Sequence, residues 1–226
     1  MTALLIVCCA CSKDEYYQDS GKHEPAFKGT ALDYLDAVPF YFDSVATVVR
    51  LAGMEEVFNN DTLTFFAPTD RSILRLVEYL NGELYRQGHD TLKTLADVPQ
   101  SIWRKYLQMY MFHGNNELKD YPQVDYNLLN TYPGQGYLSW FGTPMNIGVV
   151  YNDDNGVKYV GYRQLTLAWI PDPARPKENW TIEYIASCNI TNNNGVVHTL
   201  NNNHIYFGFS AYLFLSDVIA AMENGG

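Results

Sequence analysis

The sequence predicts an α+β domain, with a helical layer from the N-terminal half packed on a mostly antiparallel sheet or wedge from the C-terminal half. Three observations predict it. Apolar residues before Gly114 recur mostly at the three- and four-residue spacing of buried helix faces. From Tyr121 onward the chain breaks into short runs rich in Tyr, Val, Ile, Thr and Trp, separated by Gly, Asn, Asp and Pro. Inside the helical half, the run Leu63-Thr64-Phe65-Phe66-Ala67 reads as a buried strand, which Pro68 ends because it has no N–H to continue a ladder. Helices first and strands later is the α+β order.

In chain order, the fold is expected to begin near Lys28. Ala31 to Leu35 suits a short helix ended by Pro39, and Asp43 or Ser44 can cap the next, which places Val45, Val48, Val49 and Ala52 on one face and stops at Gly53. After the strand, Thr69 or Asp70 can cap a helix over Ser72 to Leu80. Ile73, Leu76, Val77 and Leu80 line its buried face, and Arg71, Arg75 and Glu78 face water. The segment from Asn81 to Val98 is polar and Gly-punctuated. Pro99 then opens a helix carrying Ile102, Tyr106, Met109, Tyr110 and His113, with Gly114 as its stop. The predicted strands are Leu128–Thr131, Tyr137–Trp140, Asn146–Tyr151, Val157–Tyr162, Thr166–Ile170, Thr181–Ile190, Val196–Leu200 and His204–Phe209. Asp153-Asp154-Asn155-Gly156 has hairpin-turn chemistry. A proline-rich stretch, Pro171 to Asn179, reads as the heart of an insertion near 165–182, and Tyr212 to Met222 as a docked terminal helix that closes a domain over 28–226.

Composition narrows the function. Apolar residues make up 47% of 226, enough for a true core. A net charge of −10 repels phosphate backbones, and no Lys/Arg cluster reverses it locally, so nucleic acid is not an expected partner. Enzyme chemistry is not expected either. No Cys/His spacing suits zinc, Gly134-Gln135-Gly136 lacks the third glycine of a dinucleotide loop, and no serine sits in a nucleophile elbow. No cofactor is implied. Cys188 reads as a small buried hydrophobe.

Two short boxes carry a resemblance. Thr64-Phe65-Phe66-Ala67-Pro68-Thr69-Asp70 resembles the first signature box of fasciclin domains, and Asn194-Gly195-Val196-Val197-His198 resembles the second. Between them, Tyr106 to His113 is similar to the family's helix ending in a Tyr-His pair, with Phe112 at the tyrosine position, so the integrin recognition linked to that pair in animal members is not carried over. The resemblance spans roughly Phe27 to Phe209. It implies a non-enzymatic adhesion or interaction module whose signature residues are mainly structural. His198, alternating with Val196 and Leu200, reads as a satisfied core or rim histidine in preference to a catalytic one.

The N-terminus adds a location. Residues 3–10 are apolar but far shorter than the roughly 20 residues that span a bilayer. Ala10 precedes Cys11, and Ser12-Lys13-Asp14-Glu15 follows. This is similar to a bacterial lipoprotein signal: a leader at 1–10, acylation of Cys11, and a polar tether at 11–27. It departs from the pattern in having no Lys or Arg before the apolar stretch and Cys8 where Leu is preferred. The Ser-Lys-Asp-Glu run resembles an export tag for the outer face of a Gram-negative outer membrane. The expected partner is therefore extracellular, a protein or a polysaccharide, with the membrane touched only through lipid. For a glycan-binding accessory lipoprotein of a polysaccharide-uptake system, Trp140, Trp169 and Trp180 are the candidate sugar platforms; the other reading of these rings is core.

Overall fold

The computed structural model describes residues 26–201 and 206–224. The expected leader at 1–10, the acylation of Cys11, most of the tether at 11–27, and His204 lie outside the described residues. The fold is anchored slightly before the expected start, because the Phe27 N–H donates to the Thr191 carbonyl at 2.8 Å and the Phe27 ring packs edge-on against Tyr34.

Among the described residues, six α-helices and eight strands follow. The helical layer comprises α1 (Ala31–Ala37), α2 (Pro39–Leu51), α3 (Glu55–Asn60), α4 (Asp70–Gln87), α5 (Gln100–Leu107) and the terminal α6 (Ala211–Asn224). The strands are β1 (Leu63–Ala67), β2 (Met111–His113), β3 (Gln123–Val124), β4 (Gln135–Leu138), β5 (Pro144–Tyr151), β6 (Arg163–Trp169), β7 (Thr181–Asn192) and β8 (Gly195–Leu200). They form one mixed sheet in the order β2-β1-β8-β7-β6-β5-β3, with β4 also paired to β5. β1 runs parallel to β8 and β3 parallel to β5, while the other pairs are antiparallel. The architecture is α+β, helices in the N-terminal half against a sheet drawn mainly from the C-terminal half.

β1 is the centre of this arrangement. All five of its residues are buried, since it has a strand on each side and core on both faces. Thr30 caps α1 through a reciprocal pair of hydrogen bonds with Asp33. In α4, Leu76, Leu80 and Leu84 continue one apolar row past Gly82, so the helix runs on to Gln87 instead of ending at Leu80. Gly88, at φ +77°, then ends it in a left-handed cap. Arg75, expected to face water, is half-buried beside β7.

Several expectations fail for identifiable reasons. Pro39 opens α2 instead of only closing α1, because its missing N–H costs nothing in a first turn. The helix expected from Pro99 through His113 stops at Leu107, passes through a 3-10 turn at Gln108–Tyr110 and straightens into β2. There Phe112 pairs with Thr64 and His113 with Leu63, so His113 ends an edge strand and not a helix. Leu128–Thr131 is not a strand but successive turns, with the Leu128 carbonyl accepting from the Thr131 and Tyr132 N–H groups. Val157–Tyr162 belongs to the β5–β6 connection: Asp154 and Val157 close the expected tight turn, but Tyr159 at φ +62° then breaks the extended run. The described part of His204–Phe209 is likewise a turn, with the Phe209 N–H donating to the Tyr206 carbonyl at 3.2 Å. The proline-rich loop occupies 170–180, so β6 and the start of β7 fill both ends of the expected 165–182 insertion.

Candidate functional site

The first box ends at a junction. Phe66 and Ala67 are fully buried in β1, and Pro68 ends the strand. Thr69 is the N-cap of α4 in backbone terms only, making no side-chain cap bond. Asp70 does not cap its own helix. Its Oδ1 accepts the Ser44 N–H at 2.8 Å and the Val45 N–H at 3.1 Å, so it satisfies two backbone donors inside α2 and ties α2 to the end of β1. Burial raises the Asp70 pKa, and the Val45 and Ser44 N–H groups oppose that rise.

The second box does similar work at the opposite end of β1. Asn194 Oδ1 accepts the Ala31 N–H at 2.9 Å, and its Nδ2 donates to the carbonyls of Phe58 and Asp61, each at 2.9 Å. One side chain thus joins the start of α1 and the end of α3 to the turn before β8. A Cβ on Gly195 would overlap the Leu63 backbone, which is why β1 approaches so closely there. Val196 and Val197 are buried beside Thr64 and Phe65. His198 is fully buried. Its Nδ1 accepts the Asn189 N–H at 3.2 Å, its Nε2 lies 2.9 Å from the Asn116 carbonyl, and its ring packs 4.9 Å from Phe66. Nε2 therefore carries the proton. Burial pushes the pKa down to about 4, so the imidazole is neutral at physiological pH. Phe112 packs edge-on against Phe66 at 5.5 Å, completing an aromatic cluster beneath both boxes.

The remaining candidates are spread out. His113 is exposed and stacks on the half-buried Trp140 with centroids 3.8 Å apart, a pairing that sequence order alone does not suggest. Trp169 is half-buried at the end of β6. Trp180 is half-buried, donates to the Pro176 carbonyl and meets Tyr126 edge-on, and so holds its own loop closed. None of the three is fully displayed, and no ring contact joins them.

A feature missed in the sequence lies where the C-terminal ends of parallel β1 and β8 meet the α1–α2 turn. A cleft of about 580 Å³ opens there, floored by Tyr34, Thr199 and Leu200 and edged by Phe40, Tyr41 and Arg71. Phe40 is 84% exposed and Tyr41 51% exposed, with their rings edge-on at 4.8 Å. The available signal was the run Pro39-Phe40-Tyr41-Phe42, where four consecutive apolar residues in a first helical turn cannot all face inward.

Among the described residues, no group of three His, Cys, Asp or Glu side chains is placed to hold a metal ion, and no helix is long and apolar enough to cross a membrane. No family model matches the chain, and no curated protein matches it. A solved structure of a FAS1 domain pair from the insect cell adhesion molecule fasciclin I is similar, with a TM-score of 0.48 and 12% identity over 76% of this chain. The match covers 49% of that structure, so the chain spans about half its length.

Proposed function

We propose that this chain is a fasciclin-like interaction module without catalytic activity, held by an acyl group on Cys11 at the outer face of a Gram-negative outer membrane. It docks an extracellular protein in the cleft beneath Phe40 and Tyr41. The observation that carries the docking reading is that exposed aromatic pair. Two large rings at the lip of a concave, partly apolar site form the anchor composition of protein interfaces, where a few aromatics surrounded by polar groups supply most of the binding energy.

The rest of the site supports the same role. Asp70, Asn194 and His198, the polar residues of the two boxes that sequence reading would first suspect of chemistry, are committed to internal hydrogen bonds. The boxes lie side by side, Leu63 opposite Gly195 through Ala67 opposite Thr199, which supports a shared architectural role. None of Trp140, Trp169 and Trp180 lines this cleft, so a glycan-capture role tied to those rings belongs to another surface.

The test places a photo-cross-linking residue at Tyr41 of the full chain on intact cells. The expected result is a protein adduct whose yield falls several-fold when Phe40→Ser is added. No protein adduct, or an undiminished yield, rejects the cleft as the docking site. Cys11→Ser is expected to release the chain from the membrane fraction, and retention there rejects the lipid anchor.

A further inference from the structure

A second surface lies between α5 and the β4–β5 connection. Two depressions, of about 570 and 190 Å³, share Lys105 and Thr143 in their walls and so form one strip. Phe141 stands in the larger and Trp169 in the smaller, with Gln100 and Ser101 toward one end and Ser216 and Asp217 toward the other.

Phe141 is 57% exposed, yet its backbone is held firmly. Gln108, only 4% exposed, uses its whole amide on this loop and the adjoining helix. Its Nε2 donates to the Lys105 carbonyl at 2.9 Å and to Thr143 Oγ1 at 2.8 Å. Its Oε1 accepts the Phe141 N–H at 3.1 Å and the Ser139 hydroxyl. The Ser139 N–H donates to the Thr143 carbonyl at 2.9 Å, and Gly142, at φ +90°, makes the turn. A fully satisfied buried amide thus displays a phenyl ring to water. The apolar core gains little from that ring, whereas a binding site gains a platform whose ordering cost is already met.

The charged side chains of the strip are largely engaged within the protein. Arg104 donates from Nε to the Ala52 carbonyl and from Nη2 to the Gly53 carbonyl, each at 2.9 Å. Lys105 Nζ lies 2.6 Å from Asp217 Oδ2, which also accepts the Tyr106 hydroxyl at 2.7 Å. The whole chain carries −10, which opposes polyanions. What remains is two aromatic faces joined by amides and hydroxyls. The chain path from Phe141 to Met145, the register partner of Trp169, spans four residues and at most about 14 Å.

We infer that this strip is a binding site for a neutral polysaccharide, whose sugar rings stack their apolar faces on Phe141 and Trp169 while their hydroxyls meet Gln100, Ser101 and Ser216. The inference goes beyond the protein-docking cleft and shares no lining residue with it.

The test is affinity electrophoresis of the full chain in native gels cast with mixed-linkage β-glucan, xyloglucan, galactomannan or amylopectin, and with polygalacturonate as the anionic probe. Phe141→Ala and Trp169→Ala run alongside, with Tyr85→Ala, an exposed position on α4, as the control. The expected result is retardation by at least one neutral polysaccharide, weakened about tenfold or more by Phe141→Ala at unchanged melting temperature, and kept by Tyr85→Ala. Retardation by no neutral polysaccharide, retardation by polygalacturonate alone, or retardation undiminished in Phe141→Ala overturns it. The Tyr41 cross-linking result is independent of all these outcomes.

Discussion

The ground beneath the two boxes and the rims around the two grooves use polar and aromatic chemistry in opposite directions. Beneath the boxes, Asn194, Asp70 and His198 direct their hydrogen bonds to backbone groups of other elements, and Phe66 and Phe112 pack on one another. At the rims, Phe40, Tyr41 and Phe141 turn their rings to water while their backbones are fixed by Pro39 or by Gln108. The lesson is that the recognisable residues hold the scaffold, and the residues free to meet a partner carry no motif. Side chains that must satisfy long-range backbone groups admit few replacements, whereas an exposed ring answers only to its ligand.

The sharpest way to break this comparison is at Gly195. A Cβ there overlaps the Leu63 backbone, where neither strand can yield, so Gly195→Ala should cost more than about 4 kcal/mol and abolish cooperative melting. A variant that melts like the parent would show that β1 and β8 are not the rigid centre.

A smaller effect concerns pH and separates two buried titratable groups. Burial pushes the Glu183 carboxyl up to about 8 from an ordinary 4.5, with Arg75 pulling it back, and it also faces the buried Tyr110. Its folded form binds a proton that the unfolded chain has released, so its contribution to stability falls as pH rises from 4.5 through about 8, by on the order of 5 kcal/mol in all and about 2 kcal/mol above pH 6.5. His198 has the opposite sign. Its folded pKa of about 4 lies below an ordinary 6.5, so its contribution is present above 6.5 and is lost as pH falls through about 4. Between about 4.5 and 6.5 the two oppose each other, and above 6.5 the Glu183 slope stands alone. Glu183→Gln should remove the loss of urea-unfolding stability between pH 6.5 and 8.5. A slope identical to the parent's would place that proton elsewhere.

The smallest effect is expected at the rims. Phe40→Ser and Phe141→Ala should each change unfolding free energy by less than about 0.5 kcal/mol, because both rings already lie largely in water. A loss above about 1.5 kcal/mol in chemical denaturation would make these rings part of the core and remove the contrast.

The fold was legible wherever local signals agreed. The β1 run with its Pro68 stop, the Leu76-Leu80 face of α4 and the Asp154–Val157 turn depend on neighbours within a few residues, and each forms as the residues dictate. The segment ending in His113 misled because Tyr106, Met109, Tyr110 and His113 fit a helical period. Edge pairing with β1 straightens the last three residues, a long-range term that no window contains. Val157–Tyr162 misled in the opposite sense: its Val- and Tyr-rich composition suits a strand, but Val157, Val160 and Tyr162 are exposed and Tyr159 at φ +62° breaks the extended run.

The candidate sites divide in the same way. By itself the sequence determined that this chain builds an α+β domain around a buried strand, because hydrophobic period, proline and glycine act locally through backbone geometry. Only the tertiary structure decided that Asp70 serves α2 instead of its own helix, that His113 stacks on Trp140, and that Phe40, Tyr41 and Phe141 face water. Those outcomes depend on which surfaces are left after elements distant in sequence have packed, and burial is a property of the assembled core that no residue carries alone.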